Sequence, residues 1–135
     1  MMIITTASSD RTVQVGKSSY LFCFYSTIQS YIGIHHAETA NALSFLKNGQ
    51  LDYGHCIQTA RELNKIRDIL STISPDKVVW DISDSKKNPP WGNNISPVIT
   101  SLGNYFITAD GKDFFFELIS LLQYAAESKQ NVKIG

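Results

Sequence analysis

Apolar and polar positions along this chain switch between two periods. Met2–Thr6 is a short, mostly apolar run, and residues 12–15 alternate with Val13 and Val15 on one side, so both predict strands. Ser8, Ser9 and Asp10 form a turn-rich cluster between them, which predicts a hairpin. After the break at Gly16-Lys17-Ser18-Ser19, Leu21, Phe24, Tyr25, Ile28 and Ile32 recur at helical spacing. Ser18 or Ser19 is the expected cap of that helix. The aromatic run over residues 20–25 keeps a strand as the rival reading. Residues 37–47 predict a second helix with Ala42, Leu43 and Leu46 inward and Asn48-Gly49 as its stop. Residues 54–73 carry the strongest helical pattern. Ile57, Ala60, Leu63, Ile66, Ile69 and Leu70 make one apolar stripe, Arg61, Glu62, Lys65 and Asp68 the wet face, and Ser74-Pro75 the end.

The C-terminal half is less regular. Val78, Val79 and Trp80 read as a buried strand, and residues 84–94 as a polar, proline-bearing loop. Ser96-Pro97 predicts a capped short helix over residues 98–102. Residues 105–108 read as a strand turning at Asp110-Gly111. Residues 114–126 predict the last helix, with Phe115, Leu118, Ile119, Leu122 and Ala125 on one face, and Val132–Ile134 a closing strand. This order predicts a single α+β domain over residues 1–135: a small mixed or antiparallel sheet packed by several helices. Strand order does not follow from the pattern.

Composition narrows the function classes. Twelve basic and twelve acidic residues give zero formal charge, so no global field draws nucleic acid or a membrane surface. Lys86-Lys87 is the only adjacent basic pair, too little for a nucleic-acid footprint. Fifteen aromatic residues and 18% charged residues argue against disorder. The N-terminus has no basic region followed by a long apolar run, and the longest apolar stretch is too short for a bilayer. A cytoplasmic protein is the expectation.

Chemistry-bearing residues are sparse. Cys23 and Cys56 form no CxxC pair, and a disulfide between them stays open as an alternative. His35, His36, His55 and Cys56 lack the spacing of a zinc site. Neighbours on a helix diverge by about 100°, so His55 and Cys56 do not aim at one ion or act as a dyad. Cys23, within an aromatic run, reads as a small buried hydrophobe. No GxSxG and no phosphate-binding glycine loop is present. Asp81 and Asp84 after a strand are a candidate acid–base pair, against the commoner reading of caps or solvated acids. No cofactor and no metal is expected.

The informative stretch runs from Trp80 to Pro97. Pro89 and Pro90 stiffen it, Gly92 allows a reversal, and Trp91 stands between them. A tryptophan on a stiff loop serves either as an interface anchor or as a lid folded back on the core, and burial statistics favour the lid. Asp84, Asn93 and Asn94 then still face outward.

Five ordered motifs carry a resemblance. They are Phe24-Tyr25-Ser26-Thr27-Ile28, Glu62-Leu63-Asn64-Lys65-Ile66-Arg67, Pro75-Asp76-Lys77-Val78-Val79-Trp80-Asp81, Pro89-Pro90-Trp91-Gly92-Asn93-Asn94-Ile95-Ser96, and Asn104-Tyr105-Phe106-Ile107-Thr108-Ala109-Asp110-Gly111. Over residues 19–126 the chain resembles the immunity protein 70 family of bacterial polymorphic toxin systems. It departs from the family around residues 33–39, where Gly33-Ile34-His35-His36 replaces a Gly- and Trp-bearing turn. The resemblance implies a non-enzymatic inhibitor, as in contact-dependent growth inhibition. Its partner would be a cognate toxin C-terminal domain, a ribonuclease or deoxyribonuclease, with no direct nucleic-acid or membrane contact. No catalytic residues carry over. Against a basic nuclease, Asp81, Asp84 and Asp110 are the expected partner-binding acids, with Trp91, Asn93 and Asn94 as further contacts. The rival is a small ligand-binding or hydrolytic domain using His35, His55 or Asp81.

Overall fold

The computed structural model describes residues 1–33, 37–92 and 94–135. Strands β1 (Met2–Thr6) and β2 (Thr12–Gly16) form the expected hairpin. Helix α1 spans Ser18–Tyr31, α2 Ala40–Asn48, α3 Cys56–Leu70 and α4 Phe114–Ser128. Strand β3 (Gln50–Leu51) follows α2, and β4 (Val132–Ile134) ends the chain. The four strands make one antiparallel sheet in the order β2-β1-β4-β3. The fold is therefore α+β, with the sheet antiparallel.

The register places Ile4 opposite Val13 and Ile134, and Val132 opposite Thr6 and Leu51. Those side chains share the face that packs on the helices, because residues opposite one another in a sheet point the same way. The other face carries the row Thr12, Thr5, Lys133 and Gln50 across all four strands. Phe24 of α1 is the centre of the core. It stacks on Phe114 at 4.6 Å and meets Phe106 and Phe115 edge-on at 4.9 and 5.0 Å. Such ring pairs add about 0.5–1.5 kcal/mol each beyond their burial.

Helix ends follow local chemistry, with two departures from expectation. Asp113 caps α4 by accepting from the Phe116 amide at 2.9 Å, and Gly49 closes α2 at φ +78°. Helix α1 begins after Lys17, with no side-chain cap from Ser18 or Ser19. Helix α2 starts three residues later than expected, after a 3-10 turn at Ala37–Thr39, and its cap comes from another helix. The buried Glu62 carboxylate of α3 accepts from the Ala42 amide at 2.9 Å and from Asn41 Nδ2 at 2.8 Å. Glu62 is 1% exposed, so it does not belong to the wet face of α3. Conversely, Ile57 and Ile69 of the expected stripe are 40% and 45% exposed.

Three short elements predicted in the C-terminal half do not form. Val78, Val79 and Trp80 are half-buried and pair with no strand. Residues 98–102 make turns instead of a helix. Asn104 Oδ1 accepts from the Thr100 and Ser101 amides at 3.0 and 3.1 Å, and five residues cannot repay helix nucleation. Residues 105–108 give only an isolated bridge, Ile107 to Asp113. The Asp110-Gly111 reversal does form, with Gly111 at φ +84°.

Candidate functional site

From Ser71 to Asp113 the described residues form no strand and no α-helix, only a 3-10 turn at Pro75–Lys77 and an isolated bridge at Ile107. Connections this long are uncommon in compact domains and usually carry function. Among the described residues from 71 to 101, none is buried. This strap leaves and rejoins the body at a narrow neck. The Leu102 amide bonds the Ile73 carbonyl at 2.9 Å. Gly103 lies so close to the end of α3 that a Cβ there would sit 2.1 Å from Ser71 Oγ and 3.1 Å from the Arg67 carbonyl oxygen.

The strap hangs on polar side chains of α1. Thr27 Oγ1, fully buried, donates to the Val79 carbonyl at 3.2 Å and accepts from the Val79 amide at 3.1 Å. It thereby serves both backbone groups that a strand neighbour would have served, which is why the β-prone run settles on a helix. Ser26 Oγ accepts from the Ile82 amide at 3.1 Å, and the Tyr31 hydroxyl donates to the Lys77 carbonyl at 2.6 Å. Near the first turn of α1, the Tyr20 hydroxyl accepts from the Ile107 amide at 2.6 Å.

A group of rings closes the strap on the body. Trp91 meets Trp80 edge-on at 5.5 Å and lies 6.2 Å from Tyr20, and its indole Nε1 donates to the Tyr105 hydroxyl at 2.6 Å. Burial pushes the Tyr20 and Tyr105 phenols above their ordinary value, so both stay protonated and act as neutral hydrogen-bonding groups. Trp91 is thus folded back, as the lid reading expects. Beside it a shallow groove of about 260 Å³ is lined by Tyr20, Trp91, Ile95, Ile99, Tyr105 and Ile107, with Asn94 and Ser96 also on its wall.

The candidate acids are tied locally. Asp81 accepts from the Ser83 amide at 2.8 Å and lies 3.7 Å from Lys87 Nζ. Asp84 accepts from the Lys86 amide at 3.1 Å and is half-buried. Asp110 accepts from Thr108 Oγ1 at 2.5 Å and lies 3.6 Å from Lys112 Nζ, and the Thr108 bond holds its carboxyl below the usual range. Asn94 is exposed. Asn93 and the His35-His36 segment lie outside the described residues. Asp81, Asp84, Trp91 and Asn94 therefore share one strap, while Asp110 sits on the following turn. Sequence reading missed Ser26 and Thr27. Their signal was two hydroxyls on consecutive positions between the apolar Phe24 and Ile28 of the helix.

Of the rival reading's groups, His55 and Asp81 are separately engaged, and His35 lies outside the described residues. Cys23 and Cys56 are free thiols, both buried, and burial pushes them up to about 12 and about 11. Exposed His55 lies 3.7 Å from Asp52, whereas Cys56 Sγ turns inward to the Asp52 carbonyl at 3.6 Å. Among the described residues no three His, Cys, Asp or Glu side chains gather as a metal set, and no helix is long and apolar enough to cross a membrane.

No curated protein and no solved structure matches the chain. A family model described as Immunity protein 70 does, over residues 5–134, extending the resemblance from the five motifs to the end of β1 and to all of β2 and β4. The match covers nearly the whole chain, and the protein belongs to the immunity protein 70 family.

Proposed function

We propose that this protein neutralises a cognate toxin C-terminal domain by stoichiometric, non-enzymatic binding, and that the toxin is a nuclease. The observation that carries the reading is family membership over residues 5–134. The strap supports it: a long connection fixed on a rigid body is the usual place for a binding surface. The partner-binding residues are Asp81, Asp84, Trp91, Asn93, Asn94 and Asp110. Trp91 contributes by bracing the strap from beneath, while the exposed Asn94 meets the partner directly.

Charge fits a basic partner in a specific way. The Asp81–Lys87 and Asp110–Lys112 pairs are loose, and both lysines are 60% exposed. The exposed Asp110–Lys112 pair contributes only about 0–1 kcal/mol, whereas the Asp81 carboxylate is 19% exposed. A toxin arginine making two hydrogen bonds to one carboxylate replaces such a lysine at small cost. The surface is then locally acidic only when the lysines swing away, which agrees with the neutral net charge. A stable complex needs at least roughly 1,200 Å² of buried surface, and protection from a potent toxin needs nanomolar affinity, about −12 kcal/mol.

The test is an activity titration of the toxin domain encoded beside this protein. Stoichiometric inhibition gives a straight fall in nuclease activity to zero at one equivalent. Residual activity that stays constant past several equivalents refutes it. A ligand-binding or hydrolytic reading is favoured by nothing specific in the geometry, since His55 and Asp81 have separate local partners, Asp52 and Lys87.

A further inference from the structure

The strap and the body are held by different kinds of contact. The body owes its order to a continuous apolar core running from Ile4 to Val132. From residue 71 to 101 no described residue is buried, and attachment rests on a few half-buried rings and on hydroxyl-to-backbone bonds from α1. Segments with few buried apolar contacts open locally at free energies well below that of global unfolding. Within this set Thr27 stands apart, because one fully buried hydroxyl serves both the amide and the carbonyl of Val79. With that hydroxyl removed, two backbone groups in a water-poor seam lose their partner together.

We propose that Thr27 is the latch of a separately opening strap, a positioning residue that holds residues 72–101 in the shape that meets the toxin. That this shape is the binding shape rests on the function proposed above; that Thr27 sets it does not. Thr27 does not line the groove, and its hydrogen bonds to the strap go to Val79, so its effect on a partner runs through Val79.

The experiment compares Thr27→Val, close to isosteric, with Thr27→Ser, which keeps the hydroxyl. Amide hydrogen exchange is read at Ile82 and Leu102, neither of which bonds Thr27. Ile82 bonds Ser26, and Leu102 closes the neck. The expected result is exchange about tenfold faster at both amides in Thr27→Val, with the α3 and α4 amides unchanged and protection restored in Thr27→Ser. A uniform increase over strap and body, or no change at Ile82 and Leu102, overturns the latch. Dissociation of the toxin complex is then measured for the same variants. A dissociation rate raised about tenfold in Thr27→Val and recovered in Thr27→Ser supports the positioning role. An unchanged rate with a loosened strap overturns it. If the wild-type protein binds no toxin, the parent reading fails, while the exchange data still decide whether Thr27 latches the strap.

Discussion

Glu62 offers the sharpest test of how the body is locked. Helix α2 is only nine residues long, too short to be stable alone. Its cap residue Thr39 sends its hydroxyl to the Gly33 carbonyl at 3.1 Å. The first-turn donors of α2 are served instead by Glu62 of α3, whose oxygens take the Ala42 amide and Asn41 Nδ2. The carboxylate also lies at the positive end of the α2 dipole. Glu62→Ala removes both bonds and leaves a buried amide unpaired, which costs about 1–3 kcal/mol. The lost methylene adds about 0.8 kcal/mol, and the lost dipole interaction about 0.5–1 kcal/mol. The sum is about 3 kcal/mol. With a urea slope of about 2 kcal/mol per molar, the unfolding midpoint falls by about 1.5 M. Glu62→Gln keeps one acceptor but turns an amide donor toward other donors, unless Asn41 flips to present its oxygen. Its cost is smaller, about 1–2 kcal/mol. Urea titration followed by far-UV circular dichroism checks both values. A Glu62→Ala midpoint within about 0.3 M of wild type would refute the capping argument.

Three further outcomes follow from the same structure. Gly103→Ala forces a Cβ against Ser71 Oγ and the Arg67 carbonyl at the neck, so stability drops by about 1–3 kcal/mol; Ser71→Gly in the same chain recovers part of the loss in a thermal melt. Bonds from Thr6, Tyr124, Ser8 and Gln130 hold the Asp10 carboxyl well below its ordinary value of 3.8 and tie the hairpin to the end of α4. The unfolded chain therefore takes up the proton more readily, so this contribution is complete above the ordinary value and is lost as pH falls below about 4. Asp10→Asn should flatten the stability-against-pH curve in that acid range, and an unchanged slope would count against the network. Cys23 and Cys56, fully buried with raised pKa values, should resist a thiol reagent at pH 8 until urea unfolds the protein; rapid labelling in the native state would contradict their burial.

The helices were legible because their apolar residues repeat over several turns. Leu63, Ile66 and Leu70 on α3, and Leu118, Ile119 and Leu122 on α4, are buried as the period requires. Two-residue β3 carries no period to read, and strand order depends on contacts distant in the chain. Val78-Val79-Trp80 misled because β-branched and aromatic residues suit any half-buried extended segment, and Thr27 supplies what a neighbouring strand would. Glu62 misled because its helical position beside Arg61 looks solvated until α2 is placed on top of it. The strap itself was legible as a stiff, tryptophan-bearing loop. Its anchors on α1 were not, since Ser26 and Thr27 between Phe24 and Ile28 do not say which backbone they serve.

We propose that the protein meets a toxin domain one-to-one through the strap. Isothermal calorimetry of the neighbouring toxin domain against the wild-type protein and an Asp84→Ala/Asn94→Ala variant tests it most directly. The expected result is a stoichiometry of one, nanomolar or tighter affinity for wild type, and a clear loss of affinity in a variant that melts like wild type. No heat of binding at micromolar concentration would contradict the inhibitor reading, and equal affinity for both proteins would remove the strap from the interface.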